Sequence, residues 1–177
     1  MTDNAERIGF PGATAKLTIA SVDEPSTQYQ VVAQYNPKEL SVTQPVTWAQ
    51  HTGTSQSTYL QFGGVGAQTS QLELLFDGYE QKKSVQDRID TLKKLALVRK
   101  PGSIDEDYSR PHMCQVTWGG NGMPPLYCVI ESIVVKYLMF GNDGAPLRAT
   151  CTVSVKECRR VGKAMVTDDG RYVHVAR

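Results

Sequence analysis

Tyr127–Glu157, YCVIESIVVKYLMFGNDGAPLRATCTVSVKE, is the stretch whose reading decides the fold class. Two β-rich runs, Leu126–Phe140 and Pro146–Glu157, flank Gly141-Asn142-Asp143-Gly144. Glycine admits positive φ, and Asn and Asp tolerate left-handed backbone, so these residues predict a turn between antiparallel strands. In the second run Leu147, Ala149, Cys151, Val153 and Val155 alternate with Arg148, Thr150, Thr152, Ser154 and Lys156. That period of two is the mark of a half-buried strand. The first run is less regular, with Ile130, Ile133, Val134 and Val135 on both faces. It predicts either a bulge or a strand covered on both sides, one of them by another subunit.

Upstream, Met1–Gly12 is polar and reads as the main part of a flexible arm over residues 1–14. Ala15–Ser21 and Gln28–Tyr35 read as strands, the second alternating Tyr29, Val31, Ala33 and Tyr35 against Gln28, Gln30, Val32 and Gln34. Pro37 disfavours helix at Asn36, so the strand ends or bends there. Ser41–Trp48 resumes extended structure, confined by Pro45 to an edge or a bulge. Ala49–Gly66 is a long polar excursion whose anchors are Tyr59, Leu60, Phe62 and Val65. Gln71–Phe76 is a further strand.

Ser84–Val98 carries the helical pattern. Ser84 suits the N-cap, Asp87 the first turn, and Val85, Ile89, Leu92, Leu95 and Ala96 recur at helical spacing. Pro101-Gly102 stops it, Ser103–Arg110 is an acidic loop, His112–Trp118 a strand, and Gly119–Pro125 a turn. Beyond the hairpin, residues 158–177 form an extension in which Val166–Val175 reads as a small hairpin. About seven or eight antiparallel strands against one flanking helix predict a mainly β (α+β) domain over residues 15–157, a barrel or a sandwich.

The 177 residues suffice for a core without metals or disulfides, and the formal net charge of +1 argues against nucleic acid as a partner. No apolar run is long enough to span a bilayer and the first residues lack signal-peptide character, so a cytoplasmic product is expected. Cys114, Cys128, Cys151 and Cys158 form no CxxC pair and read as buried free thiols, with Cys151 and Cys128 candidates to face each other across the hairpin. His51, His112 and His174 lie far apart, and Asp105, Glu106 and Asp107 read as a solvated loop. Gly63-Gly64-Val65-Gly66 lacks the Gly-Lys-Ser/Thr ending of a phosphate loop. The residues predict neither an enzyme nor a cofactor.

Four segments together resemble the tube-type proteins of contractile injection systems, which are related to phage tails. They are Tyr35-Asn36-Pro37-Lys38-Glu39-Leu40-Ser41-Val42 with Trp48 downstream; Leu72–Glu80 (LELLFDGYE); Arg110-Pro111 through Cys114 with Trp118-Gly119; and Val129-Ile130-Glu131-Ser132 through Lys156-Glu157. The resemblance is to the tube-initiator or baseplate-adaptor type, which often carries a C-terminal LysM domain. That domain needs more chain than Cys158–Arg177 provides, so peptidoglycan binding is not expected. The resemblance implies a β-barrel with a flanking helix that assembles as a hexameric ring. Tube, spike and baseplate proteins would be its partners, without membrane insertion.

On that reading the candidate contacts are Asn36, Pro37 and Lys38 at the bend, and Trp48 and Phe62 at and within the Ala49–Gly66 arm. Gly141, Asn142, Asp143, Gly144 and Arg148 on the hairpin complete the set. A ligand-binding β-barrel for glycan or nucleic acid, built on Trp48, Trp118 and the same excursion, is the alternative. A zinc enzyme built on the cysteines comes third.

Overall fold

A computed structural model describes residues 16–52, 58–119 and 123–158, with the backbone of 165–166 and 172–173. The arm expected over residues 1–14 lies outside them. The decisive hairpin is present with the expected bounds: β8 (Leu126–Phe140) pairs antiparallel with β9 (Pro146–Glu157). Around it runs a seven-stranded antiparallel sheet in the order β2-β1-β7-β8-β9-β6-β3. Its other members are β1 (Leu17–Ser21), β2 (Gln30–Val32), β3 (Ser41–Thr43), β6 (Thr69–Asp77) and β7 (Cys114–Trp118). A separate ribbon pairs β4 (Val46–Thr52) with β5 (Thr58–Val65). In the tail, β10 (Met165–Val166) pairs with β11 (Tyr172–Val173).

The fold is therefore mainly antiparallel β with one helix, as expected. Strand pairing closes no barrel among the described residues: β2 and β3 are open edges of a sandwich-like sheet. The segment after β2 nevertheless reaches the end of β6. Gln34 accepts the Asp77 N–H at 3.0 Å and donates from Nε2 to the Asp77 carbonyl at 2.7 Å, so one side-chain amide imitates a strand partner there.

Helix α1 (Gln86–Ala96) packs Ile89, Leu92 and Leu95 against the sheet face that carries Leu17, Ile19, Leu72, Leu74, Phe76 and Val153. All of these side chains are fully or almost fully buried, each contributing about 1.5–3 kcal/mol relative to exposure. The helix is shorter than Ser84–Val98 at both ends. Ser84 stands outside it yet still accepts the Gln86 N–H at 3.2 Å. Leu97 turns extended, and Val98 leaves the helix to bridge Pro111.

A bulge resolves the irregular first run. The register shifts between Ile130 and Ser132, so Ile130 opposes Val155 while Ile133 and Val135 oppose Val153 and Cys151. The extra residue, Glu131, restores the parity of the core face and leaves Val134 exposed on the other. The second expected strand is shorter than Gln28–Tyr35, because Thr27–Tyr29 forms a 3-10 turn and extended pairing stops at Val32. Cys128 does not face Cys151: it opposes Cys114 and Glu157, whereas Cys151 opposes Val135. The bulge and the long stagger of the hairpin place the two thiols at different levels.

The Ala49–Gly66 excursion is not an irregular loop. It forms most of the β4–β5 ribbon, whose Thr, Tyr, Leu and Phe residues favour extended structure despite the polar composition.

Candidate assembly surfaces

Two groups of sequence-named residues gather at separate places. The first surrounds Asp77 at the end of β6. Arg148 donates to Asp77 Oδ2 from Nε at 3.0 Å and from Nη2 at 2.6 Å, and the Tyr79 N–H reaches Oδ1 at 3.0 Å. The Arg148 hydrogen bond, followed by that amide, holds the Asp77 carboxyl below its usual range. Gln34 clamps the Asp77 backbone, which brings Tyr35 and the Asn36–Lys38 bend towards the same corner. Tyr35, Tyr79, Leu138 and Phe140 are exposed around it.

The hairpin turn beside this corner is closed from within. The Gly144 N–H donates to the Gly141 carbonyl, the Gly141 N–H to Ala145, and the Ala145 N–H to the Asp143 carboxylate, at 3.0, 2.8 and 3.1 Å. Gly144 sits at φ 79°, where other residues are strained. At the bend, Asn36 Oδ1 accepts the Leu17 N–H at 3.0 Å and Lys38 is exposed. Pro37 is buried, so it shapes the bend rather than presenting a surface.

The second group is the ribbon. Trp48 opposes Phe62, with ring centroids 5.4 Å apart in edge-to-face geometry. A register shift between Thr47 and Trp48 leaves Gly63 as the extra residue, so Val65 returns to the side of Phe62. Val46, Trp48, Leu60, Phe62 and Val65 thereby share one face, all exposed, with Trp48 and Phe62 each at 55%. Sequence reading named only Trp48 and Phe62 as contacts. Leu60 and Val65 stand in the sequence as anchors of the excursion rather than as contacts, and the period-two spacing of Val46 with Trp48 is the signal for Val46; that Val65 shares the face of Phe62 depends on the bulge.

A third cluster was not expected. Asp23, with its side chain 2% exposed, takes Arg110 at 2.8 and 3.1 Å and the Met113 N–H at 2.8 Å. Arg99 takes Glu24 at 2.7 Å. His112 is buried, with Nδ1 2.9 Å from Ser21 Oγ and its ring against Tyr29. Burial drives the Asp23 carboxyl up, but the Arg110 and Met113 hydrogen bonds and the two guanidinium charges together bring it below its usual range; Arg99 does the same for Glu24. Desolvation lowers His112, with Arg99 and Arg110 acting the same way and Glu24 and Asp23 opposing.

These shifts set a pH dependence. A depressed histidine contributes stability that is present above its unfolded value of 6.5 and lost as pH falls below it. The depressed carboxylates add stability that is lost only below about pH 4. The melting temperature should fall from pH 7 to pH 5 and faster below pH 4. His112→Gln should flatten the first step and leave the second. An unchanged first step in that variant would remove His112 as its source.

The Ser21 hydroxyl and the His112 imidazole are paired, but both residues are buried, so the pair is closed to a substrate from solvent. Burial pushes the Cys114 thiol up to about 12 and Cys151 to about 11, so both are unionised at neutral pH and poor metal ligands. Among the described residues no group of three or more His, Cys, Asp or Glu side chains is placed to hold a metal ion, and no helix is long and apolar enough to cross a membrane.

A search of curated proteins gives no match. A family model described as contractile injection system tube protein matches residues 13–164. That span takes in the whole seven-stranded sheet, the helix and the ribbon. It also contains the four segments that carried the resemblance and both candidate contact surfaces. With most of its length matched, this chain belongs to the contractile injection system tube protein family.

Proposed function

We propose that this chain is a structural subunit that forms a hexameric ring and initiates or adapts the inner tube on the spike and baseplate of an injection particle assembled in the cytoplasm. The observation that carries this reading is the ribbon stripe of Val46, Trp48, Leu60, Phe62 and Val65, a continuous apolar face exposed to solvent. A two-stranded ribbon is marginal alone, and such a stripe is stable when another surface covers it. The free edge of β8 supports the same reading. Among the described residues β7 pairs only with Leu126–Cys128, so the rest of β8 has β9 on one side and an edge open to a neighbouring sheet on the other. Repeated head-to-tail contacts of this kind close into a ring when the rotation between copies is a whole fraction of a turn. The near-neutral charge suits stacked copies.

The alternative ligand-binding module draws on Trp48 and Trp118. Trp118 packs against the core, which leaves that reading without its second aromatic platform.

Mass measurement and negative-stain imaging of the purified protein, alone and with spike and tube proteins, test the proposal. Rings are expected for the wild type. Trp48→Glu with Phe62→Glu should give monomers that keep the β-sheet circular dichroism of the wild type, because exposed side chains contribute little to the core. A wild-type chain that remains monomeric and joins none of these proteins would sink the reading.

A further inference from the structure

The β4–β5 ribbon stands clear of the rest of its own chain. Every residue of β4 is exposed, as is all of β5 except Gly64. Its base is fixed all the same: the Gly66 N–H donates to the Pro45 carbonyl at 2.8 Å, and Gln44 Nε2 donates to the Gly66 carbonyl at 2.6 Å. A Cβ on Gly66 would stand 2.8 Å from Pro45 Cγ, so the two strands close tightly on each other there. An apolar face on an arm tied in this way binds with little further loss of conformational freedom.

The corner around Asp77 is a second uncovered apolar surface. Tyr35, Tyr79, Leu138 and Phe140 are each more than half exposed there. The Tyr137 hydroxyl donates to Gln86 Oε1 at 3.1 Å, and the Tyr137 ring lies 5.9 Å from that of Phe140. Arg148 and Asp77 satisfy each other at 2.6 Å, so covering the corner strands neither charge. The ribbon needs a surface of this kind, because β4 and β5 contain no Asp, Glu, Lys or Arg to meet an exposed charge. The groove between β2 and α1 is a poorer match: Asp87 and Arg88 stand in its wall and would be covered by apolar side chains.

Ribbon and corner lie at opposite ends of β6. The ribbon leads into Thr69 and Asp77 closes the strand, which at about 3.3 Å per residue puts roughly 25–30 Å between the two ends. Both surfaces are uncovered within one copy, so a contact between them joins one copy to the next. A ribbon-to-ribbon contact is its own partner and stops at two copies, whereas ribbon to corner uses two different surfaces and repeats. We infer that the ribbon stripe of each copy docks on the Asp77 corner of the neighbouring copy, with Trp48 and Phe62 against Tyr79, Leu138 and Phe140. This contact rests on the ring reading and names the surface that the ribbon meets.

Two variants that each lose one surface test it by complementation. Trp48→Glu with Phe62→Glu removes the ribbon side, and Leu138→Glu with Phe140→Glu the corner side. Each alone is expected to be a monomer with wild-type circular dichroism. Mixed in equal amounts they are expected to form one-to-one dimers by native mass spectrometry, because one intact ribbon then meets one intact corner. A single contact lacks the avidity of a closed ring, so the mixture is read at about ten times the concentration at which the wild type forms rings. Wild-type ring mass in the corner variant overturns the proposal, and so does a mixture that stays monomeric. Should the corner variant fail to fold, p-benzoyl-phenylalanine in place of Phe62 in assembled rings decides the matter. Its cross-link is expected on a peptide of another copy that contains Tyr79, Leu138 or Phe140, and attachment to another copy's ribbon, or to any other segment, overturns the proposal. A wild-type chain that stays monomeric overturns the ring reading itself, so the two failures are read separately.

Discussion

Asp23→Ala is expected to lower the free energy of unfolding by about 3–5 kcal/mol, the range seen when one partner of a buried ion pair is removed. The carboxylate is 2% exposed and collects two bonds from Arg110 and one from the Met113 N–H, with Arg99 Nη1 at 3.9 Å. Its loss leaves an amide and part of a guanidinium without their acceptor in a site that water hardly reaches. The cluster joins the turn after β1 to the segment between α1 and β7, so the damage falls on a junction rather than on one element. In a domain of this size the melting temperature should drop by about 10 °C. Chemical denaturation of Asp23→Ala measures it, and a change below about 1 kcal/mol would mean that the cluster is solvated and slack.

The second large effect is expected at Gly78. A Cβ there would collide with the Lys83 backbone carbonyl, in a loop where nothing flexible can yield. The Gly78 N–H donates to Leu147 at 2.8 Å, the Lys83 N–H returns to Gly78 at 3.0 Å, and the Val85 N–H donates to Pro146 at 3.0 Å. The loop thus fastens the start of α1 to the start of β9. Gly78→Ala forces the loop off that strand and displaces the helix, for about 3 kcal/mol. Denaturation with an unchanged slope would locate the effect in the folded state. Stability equal to wild type would show that the loop has another conformation of equal energy.

Neither residue attracted a role in the sequence, and the reason is physical. Asp23 lies in a polar turn that looks solvated, and its partners Arg99 and Arg110 are more than seventy residues away in a charged loop. Pairing at that separation leaves no periodic trace. Gly78 stands at the end of the Leu72–Glu80 segment with no local pattern that singles it out; only the approach of the Lys83 carbonyl makes its missing Cβ matter.

The β8–β9 hairpin stands at the other extreme. Its bounds, its turn and the inward set Ala149, Cys151, Val153 and Val155 follow from alternation and turn chemistry, because strand period and glycine φ are local properties. The helix follows as well, apart from ends that depend on where Leu97 and Val98 are drawn towards Pro111. Of the candidate contacts, Trp48 and Phe62 are legible as large apolar residues in polar surroundings. That they meet, and that Val46, Leu60 and Val65 join them, depends on the ribbon register and its bulge.

A mainly antiparallel β domain with one packed helix is legible in the chain's alternation and turn residues, and its ordered segments point to the tube protein family. Those properties rest on nearest-neighbour chemistry and on short, repeated spacings. Tertiary packing alone sets the glutamine amide across the gap between the outer strands and, among the described residues, the open sheet and the unpaired edge of β8 beyond Cys128. It alone placed the apolar stripe on an uncovered ribbon and the charges of Asp23, Arg99 and Arg110 in one cluster. Each of these depends on which distant segments come together and on what is left uncovered when they do, and burial is settled by the whole chain.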